Sequence, residues 1–520
     1  MSELRYPIGV QDFEKIRTQG KVYVDKTKLI HELVQNDYIF LSRPRRFGKS
    51  LLISTIQAYF EGKKELFEGL EISQLEKEWK TYPVLKLELS RYNPSSPDSL
   101  NSILQRSFNE WEEKYGIANT DYEFSQRFEN IIKAAYNSSG NKVVILVDEY
   151  DNPLINTLHK EDINEKNRNL LKSIYSNLKD LDGYIRFGML TGVSRFSKMT
   201  IFSGLNNLMD ISLSNNFSSI CGFTEDEIRK YLWQGVENIG RKRNCSAHEA
   251  LSILKKNYDG YHFSEECPDI YNPFSLLNTF KEGRISYYWF ETATPKFLIR
   301  KLRETSRPFV EIFHDKVGER SLKATDASFS SPVSLLYQTG YLTIKDFDPE
   351  TGKFQLGIPN KEVRDAIYTT LLSNFTGRDE DSSGDLSRQI VEPLKDGDAK
   401  KFLEDLKIFL SGVPYNVIPE RNRELYYQNV LYLMFSFAGL QVETERPNSF
   451  GRSDLIVKTD KYIYIFELKV DRSAEEALRQ IEEKQYALPY SKDGKTIIKV
   501  GLNFLSKTRN LGDYLLSVCK

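Results

Sequence analysis

The sequence predicts an α/β protein of several domains, and two patterns along the chain support that prediction. Over the first 220 or so residues, short apolar strands alternate with longer amphipathic helices, which is typical of a sheet with largely parallel strands. Nearer the C-terminus the pattern becomes helix, three strands, helix and strand, an αβββαβ order. A chain of 520 residues is too long for one ordinary core, so two to four domains are expected.

Composition favours a globular, cytoplasmic protein. The chain is 40% apolar and 28% charged with a net charge of -1, so any surface for nucleic acid has to be local. The cysteines form no CxxC pair and the histidines no HExxH pattern, which argues against a disulfide scaffold and a structural zinc site. The N-terminus lacks the apolar core of a signal peptide, and no segment approaches ~20 uninterrupted apolar residues, so no membrane segment is expected.

The first predicted sheet has four strands, each a short apolar run next to a helical stretch. These strands cover residues 38–41, 84–89, 143–147 and 185–191. Thr224 and Glu227 then form the pattern of a capping box. That box opens a helical region that extends to about residue 280.

The middle of the chain is expected to be helical with a winged-helix-like module. A helix over 332–339 is followed by strands over 341–345 and 353–357, which turn through DPETG. The polar and acidic stretch 376–390 predicts a linker. The expected domains and linker are therefore 1–220, 221–375, the linker 376–390, and 391–520.

The C-terminal region supplies the αβββαβ order. Its predicted elements are helix 424–437, strands 441–446, 454–457 and 462–468, helix 474–488 and strand 496–502.

One loop has the pattern of a phosphate-binding site. The sequence FLSRPRRFGKSLL, residues 40–52, leads from the first predicted strand into an apolar helix. Such a loop needs backbone N–H groups facing the anion, a lysine for the β/γ-phosphates and a hydroxyl for Mg²⁺. Gly48, Lys49 and Ser50 supply these three requirements in order, with Ser50 as the Mg²⁺ ligand.

The loop departs from the usual G-x-x-x-x-G-K-S pattern at its first position, where Arg43 replaces glycine. Pro44 restricts φ, which can compensate for the lost glycine. Arg45 and Arg46 can add positive charge for a phosphate. The alternative is a basic turn before a surface helix, and the loop by itself does not decide between the two interpretations.

A second motif favours a nucleotide site. The apolar run 143–147 ends in Asp148 and Glu149, and ligands bind at the carboxyl ends of strands in such sheets. Asp148 is then placed to hold Mg²⁺, and Glu149 to polarise an attacking water. A core strand that ends in a solvated acidic turn is the alternative. Two such motifs in this order, about 100 residues apart, favour the nucleotide site.

A third strand end adds candidates for contact with the nucleotide. The strand 185–191 ends in Thr191, and Ser194 and Arg195 follow it. A polar side chain at this position can sense a γ-phosphate or only cap the strand, and the sequence leaves both interpretations open.

These motifs, with VYVDKTKLIHEL, YDGYHF and YNPFSLL, resemble the AAA-ATPase-like family of bacterial proteins over roughly residues 5–280. In that family RPRRFGKS is the ordinary form of the loop, so Arg43 is no sign of decay. The resemblance implies an additional-strand P-loop NTPase fold that binds ATP and Mg²⁺, with the residue roles given above. Asp25 and Lys26 belong to the family's N-terminal block, and the sequence assigns them no chemical task.

The C-terminal strands carry a second group of candidate residues. Asp454 begins one predicted strand, and Glu467 and Lys469 lie on one face of the next strand. Two carboxylates can hold Mg²⁺ or Mn²⁺, while a lysine orients or activates water for attack on a phosphodiester. Charges within so apolar a strand as YIYIFELKV cost free energy unless they have such a partner. Alternating charge on an exposed strand edge is the other interpretation.

The D-x(12)-E-x-K spacing in this element order resembles the PD-(D/E)XK nuclease superfamily over roughly residues 420–505. That resemblance implies a restriction-endonuclease-like domain. Glu424 lies where many members have an extra acidic ligand, although an ordinary solvated helix charge explains it equally simply. Gln485 matches a polar position often found near the active site, and Gln480 is the alternative. The resemblance favours DNA over RNA as substrate.

The sequence as a whole predicts an ATPase coupled to a metal-dependent nuclease that acts on nucleic acid, with assembly into a homo-oligomer left open. One alternative is a nucleotide-switched signalling or scaffold protein whose nuclease-like domain binds without cleaving. A second alternative is a translocase-like motor with an accessory nuclease.

Overall fold

The computed structural model describes residues 4–118, 122–158, 160–176, 178–194, 208–289, 296–322, 332–443 and 453–519. The chain divides into two compact units. Unit 1 comprises Met1–Thr294 and Lys316–Glu362, and unit 2 comprises Pro295–Asp315 and Val363–Lys520. Within the described ranges, no helix is both long and apolar enough to cross a membrane.

Unit 1 is built on a five-stranded parallel sheet with the strand order β2-β3-β4-β1-β5. Its strands are β1 Tyr38–Ser42, β2 Val84–Glu88, β3 Val143–Asp148, β4 Ile185–Gly192 and β5 Leu208–Asp210. The predicted parallel sheet is confirmed, with β5 as an additional short edge strand. Because β4 lies between β1 and β3, the loop after β1 and the acidic end of β3 flank the end of β4.

The apolar runs of the sequence explain why this sheet is internal. Every residue of β1 and β3 is buried, which is typical of parallel strands covered on both faces. Helices cover the sheet because parallel strands need crossover connections. Leu100, Leu104 and Ile131 from two of these helices pack in one apolar cluster with Leu85 and Ile145 of the sheet.

The helices of unit 1 include two with complete capping boxes. Thr224 and Glu227 cap one as predicted, and Ser246 and Glu249 cap another. The α-helices before residue 294 are Phe13–Thr18, Thr27–Leu33, Lys49–Phe60, Ile72–Leu75, Ser99–Lys114, Phe124–Ser139, Asn152–Ile155, Glu161–Ser176, Glu225–Tyr231, Trp233–Lys242, Ala247–Tyr258 and Pro273–Glu282, and the 3-10 helices are Lys64–Phe67 and Asp182–Tyr184.

The second segment of unit 1 contains the predicted helix and hairpin. Its helices are Glu319–Leu322 and Pro332–Thr339, and its strands are β6 Lys316–Gly318, β7 Thr343–Asp348 and β8 Lys353–Gly357. The strands form an antiparallel sheet in the order β6-β8-β7, so β6 adds a third strand to the predicted hairpin.

Unit 2 contains a five-stranded mixed sheet with the order β13-β12-β11-β10-β9. Among the strand pairs that the structure describes in this sheet, β11 and β12 are parallel and the others are antiparallel. Its strands are β9 Gln441–Glu443, β10 Leu455–Lys458, β11 Tyr462–Val470, β12 Thr496–Leu505 and β13 Asn510–Cys519. Its helices are Lys296–Glu304, Phe309–Phe313, Lys361–Thr376, Glu380–Val391, Ala399–Ser411, Arg423–Phe437 and Ala474–Glu483, with 3-10 helices Glu392–Asp396 and Leu488–Tyr490. The predicted αβββαβ order is confirmed, and β13 extends it. The helix Lys361–Thr376 starts at the end of unit 1.

The prediction of a linker over 376–390 is wrong, because most of this stretch is the helix Glu380–Val391. Asp379 caps the helix by accepting the Ser382 N–H. Ser383 and Ser387 are buried and donate their hydroxyls to carbonyls four residues earlier. The polar composition that suggests a linker therefore has other roles here. Asp379 caps the helix, and the serine hydroxyls donate hydrogen bonds to carbonyls within it.

Candidate active sites

The loop after β1 leads directly into the helix Lys49–Phe60. Gly48 is the N-cap of that helix and has φ +94°, a left-handed conformation that favours glycine. Arg46 also lies in the left-handed region, with φ +69°. A non-glycine residue in this region is uncommon and is found where surrounding structure holds the backbone in place.

Lys49 lies beneath this loop and beside the acidic end of β3. It is buried, and its Nζ donates to the carbonyls of Arg43 at 2.9 Å and Pro44 at 3.0 Å. Burial lowers the pKa of Lys49, and the charges of Glu149 and Asp148 oppose that shift. The loop and the acidic motif therefore meet in space, as the order of their strands predicts.

Arg43, at the position of the missing glycine, points into the protein. Its guanidinium donates to the carbonyls of Ser42 at 2.9 Å and Ser212 at 2.8 Å, and lies 4.2 Å from the ring centre of Phe263. Arg43 thus ties the start of the loop to the segment after β5.

A cavity of ≈ 560 Å³ opens in front of the loop. Its volume falls within the range of small-molecule sites. Arg45 and Arg46 line it, together with Gly48, Lys49, Ser50 and Glu149. The Arg46 guanidinium lies 4.6 Å from the ring centre of Phe274 on another wall.

The acidic motif is held by the neighbouring strand. Asp148 is buried at the end of β3, and the Thr191 hydroxyl donates to its Oδ1 at 2.6 Å. Glu149 follows with φ +54°, a left-handed conformation that turns the chain at the cavity. Burial raises the pKa of Glu149, and the positive charges of Lys49 and Arg45 counteract part of that shift.

Asp151 is a buried acidic residue that the sequence analysis did not single out. Its carboxylate accepts the backbone N–H groups of Val193 and Ser194, and also the Ser194 hydroxyl at 2.7 Å. It therefore fixes the chain just after β4. The available signal was the second aspartate in the run DEYD, directly after the strand. Arg195, the predicted accessory residue, lies outside the described residues.

Asp25 and Lys26 have structural partners. Asp25 accepts the N–H and the hydroxyl of Thr27, at 2.8 and 2.6 Å, at the start of a helix. Lys26 is buried and forms a salt bridge with Glu227 at 2.6 Å. Burial lowers the pKa of Lys26, whereas Glu227 opposes the shift. The same Glu227 carboxylate completes the capping box of Thr224.

In unit 2, Asp454, Glu467 and Lys469 come together. Leu455 pairs with Phe466 in the antiparallel ladder of β10 and β11, and this register places Asp454 opposite Glu467. Asp454 Oδ2 accepts the Leu468 N–H at 2.7 Å. Lys469 Nζ donates to Glu467 Oε1 at 2.8 Å, with both side chains buried. Glu467 and Lys469 lie two positions apart on β11, so their side chains share one face of the strand.

The electrostatics of this cluster favour a bound cation. Burial raises the pKa of Asp454 well above its usual value, and the Glu467 carboxylate raises it further. Burial also raises the pKa of Glu467, although the Lys469 ammonium opposes the shift. Burial lowers the pKa of Lys469, but the neighbouring carboxylates outweigh it and the net shift is upward. Two buried carboxylates of like charge are costly to ionise, and the single Lys469 ammonium offsets only part of that cost, since the pKa values of both carboxyls remain raised.

The chemistry of the donor set fits a divalent cation. Glu467 Oε2 is buried and has no hydrogen-bond partner among the described residues. In the same described ranges, no group of three or more His, Cys, Asp and Glu side chains is arranged to hold a metal. Two carboxylates are sufficient for Mg²⁺, which usually keeps several of its waters.

The helix Arg423–Phe437 supports the cluster from one side. Gln428, buried on this helix, donates to the Asp454 carbonyl at 2.8 Å. Glu424 lies one turn before Gln428, and its charge raises the pKa of both Asp454 and Glu467. The exposed Glu424 therefore acts electrostatically on the cluster.

The structure places Gln485 after the end of the helix Ala474–Glu483, whereas the start of that helix lies beside the strand partner of Glu467. Gly501, which pairs with Glu467, lies against Ala474 at the start of the helix Ala474–Glu483. Gln485 follows the opposite end of that helix and is exposed. A helix of 10 residues separates the two ends by about 15 Å.

The alternative residue, Gln480, is also engaged elsewhere. Its amide donates to the Tyr486 hydroxyl at 3.4 Å. The match to a polar position of the resembled superfamily was the signal for Gln485, with Gln480 as the alternative, and that match does not determine where the helix ends relative to the site.

Comparison with known proteins agrees with this architecture. Residues 7–202 match the family model described as predicted AAA-ATPase, and residues 422–514 match that of the PD-(D/E)XK nuclease superfamily. An Azotobacter chroococcum mcd 1 protein, "Uncharacterized protein in vnfD 5'region", is 34% identical over 526 residues, with 99% of each chain covered.

Proposed function

The chain belongs to the family of predicted AAA-ATPases that carry a C-terminal PD-(D/E)XK nuclease superfamily domain, and we propose that it is an ATP-hydrolysing nuclease. In this proposal unit 1 binds and hydrolyses ATP, and unit 2 cleaves nucleic acid, with DNA as the substrate. The observation that carries it is the cluster of Asp454, Glu467 and Lys469, in which Glu467 Oε2 is buried and has no hydrogen-bond partner among the described residues.

The proposed ATP site uses the cavity in front of the loop. Gly48 and the helix start beneath it offer backbone N–H groups to the phosphates, and Lys49 offers its ammonium. Ser50 and Asp148 would hold Mg²⁺, which neutralises charge on the phosphates when bound. Glu149, with a raised pKa at the cavity wall, accepts a proton from the attacking water.

Other residues would assist this ATP site. Arg45 and Arg46 add positive charge at the cavity wall, where they can compensate negative charge on a triphosphate. Thr191 holds Asp148 in a fixed orientation through its hydroxyl. Such support is what a metal-binding carboxylate needs to keep its geometry.

The proposed nuclease site would hold Mg²⁺ or Mn²⁺ between Asp454 and Glu467. When bound, the cation polarises the phosphodiester and lowers the pKa of a bound water. Lys469 orients the water nucleophile, and its contact with Glu467 keeps its ammonium next to the carboxylates. The Leu468 N–H holds Asp454 in place through a hydrogen bond to the carboxylate.

The test is cleavage of end-labelled DNA and RNA by the full chain, with and without ATP and with Mg²⁺, Mn²⁺ or EDTA. We expect metal-dependent cleavage of DNA by the wild type and its loss in Lys469→Ala. Binding of DNA without cleavage under every condition would support the scaffold alternative instead. ATPase turnover that rises steeply with DNA length would support the motor alternative.

A further inference from the structure

Trp289 lies directly behind the phosphate-binding loop within unit 1. Its side chain is buried, and the indole N–H donates to the backbone carbonyl of Arg45 at 3.0 Å. Arg45 lies in the loop that lines the cavity and directly precedes Arg46. The sequence gives no hint of this contact, since the two residues are 244 positions apart.

The position of Trp289 is itself fixed by buried groups. Its backbone N–H donates to Glu362 Oε1 at 2.9 Å, and the same oxygen accepts the Ser275 hydroxyl at 3.0 Å. The indole packs edge-on against Tyr341, with ring centres 5.2 Å apart. The indole donor that meets Arg45 is therefore held in place by contacts with other residues of unit 1.

The loop also has little room to retreat from the cavity. Gly340, with φ +89°, packs so closely that an added Cβ would come within 2.7 Å of Pro44. Pro44 and Arg45 are thus held by steric contact and by a hydrogen bond. A carbonyl fixed on one side of a trans peptide directs the next N–H to the opposite side. Here that group is the N–H of Arg46, a residue that lines the cavity.

We propose that Trp289 is a positioning residue for the nucleotide site, acting through the Arg45 carbonyl to orient the phosphate-binding backbone. This inference rests on the proposed ATP site in unit 1. Trp289 is not among the residues that line the cavity, so its effect on the site passes through Arg45. Its effect is to keep the N–H groups of the loop oriented before a nucleotide arrives, so that less free energy is spent on ordering them.

The first test is the substitution Trp289→Phe, which keeps an aromatic ring and removes the N–H donor. We expect the KM for ATP to rise roughly 3- to 10-fold, the effect of one lost hydrogen bond, with kcat much less affected. Trp111→Phe is the matched control, because Trp111 lies on the helix Ser99–Lys114 and does not line the cavity. A general structural effect would lower kcat through loss of folded enzyme and leave the KM unchanged.

The second test keeps Trp289 and uses it as the reporter. The chain has 4 tryptophans, so the combined variant Trp79→Phe, Trp111→Phe and Trp233→Phe leaves Trp289 as the sole indole. We expect its fluorescence to change little when ATP binds, because the indole already holds the loop in place before the nucleotide arrives.

The outcomes separate the inference from the function it rests on. A wild type that fails to bind ATP refutes the proposed function, and the inference with it. A wild type that binds ATP, together with an unchanged KM in Trp289→Phe, overturns only the inference. So does a sole-tryptophan variant whose fluorescence changes strongly when ATP binds, since the indole would then be reordered by the nucleotide.

Discussion

The hydroxyl of Thr191 donates to Oδ1 of Asp148 at 2.6 Å, joining the ends of two neighbouring parallel strands. Both side chains are buried, so the contact is shielded from water. Asp148 is the proposed Mg²⁺ ligand. For Thr191 the sequence left two roles open, contact with a γ-phosphate and capping of the strand. The bond supports an orienting role for Thr191, whether or not it also contacts a phosphate.

Thr191→Val tests this orienting role. Valine has nearly the same shape and lacks the hydroxyl, so Asp148 loses a donor while the packing is retained. We expect ATPase turnover to fall roughly 10- to 100-fold, as for other partners of metal-binding carboxylates. Thr191→Ser retains the hydroxyl and should keep most of the activity; equal activity in all three proteins would contradict the assignment.

Lys49→Ala should weaken ATP binding roughly 10- to 100-fold, since it removes a charged donor from the cavity. Isothermal titration with ATP measures the change, and Lys172→Ala, at an exposed helix position, is the control. Circular dichroism should show a folded protein, although two loop carbonyls lose their donor. Unchanged affinity in a folded Lys49→Ala protein would refute the loop assignment.

Lys469→Ala should reduce DNA cleavage by at least about 100-fold while leaving ATPase activity intact, because the two sites belong to different units. Lys461→Ala provides a control at an exposed position just before the same strand. Cleavage at the wild-type rate by Lys469→Ala would show that any nuclease activity arises elsewhere.

Metal binding to unit 2 should weaken as the pH falls, starting above the usual carboxyl range. The pKa values of Asp454 and Glu467 are raised, chiefly by burial, so protons compete with the cation at a higher pH than for ordinary carboxyls. Titration with Mn²⁺ between pH 5 and 8 measures this competition. Glu467→Gln should bind Mn²⁺ more weakly, and its affinity should depend less on pH.

The same raised pKa values make the stability of the metal-free protein depend on pH in the opposite direction, so that stability falls as the pH rises. A carboxyl with a raised folded-state pKa stabilises the fold below its unfolded pKa, and that contribution is lost as the pH rises through the folded pKa. As the pH rises from the ordinary carboxyl range through the raised pKa values of Asp454 and Glu467, metal-free protein should therefore lose stability. Mg²⁺ should restore that stability. Thermal denaturation with and without EDTA checks both effects, and no dependence on metal would contradict the site.

Gly192→Ala should destabilise unit 1 by about 1–3 kcal/mol, the usual cost of overpacking. A Cβ at Gly192 would lie 2.6 Å from both the Asp151 carboxylate and the Tyr150 ring. Gly183→Ala is the matched control, because an added Cβ there meets nothing within 4 Å. Urea denaturation compares the two variants, and equal midpoints would show that the end of β4 can move to accommodate a methyl group.

The residue pattern along the chain was enough to predict the main strands and helices of both units and to point to the two motifs. Strands β1, β3 and β11 are long apolar runs, and such patterns depend on near neighbours in the chain. The spacing from Asp454 to Glu467 likewise implied their pairing, because a hairpin register is set locally.

The packing of the folded chain sets the direction of side chains that have several options. It turned Arg43 inward onto Phe263, brought Asp151 to Ser194, and left Gln485 at the far end of its helix. It also placed Trp289 behind the loop. The reason is physical: these contacts join residues distant in sequence, and they depend on how elements pack, which no local pattern of hydrophobicity or spacing encodes.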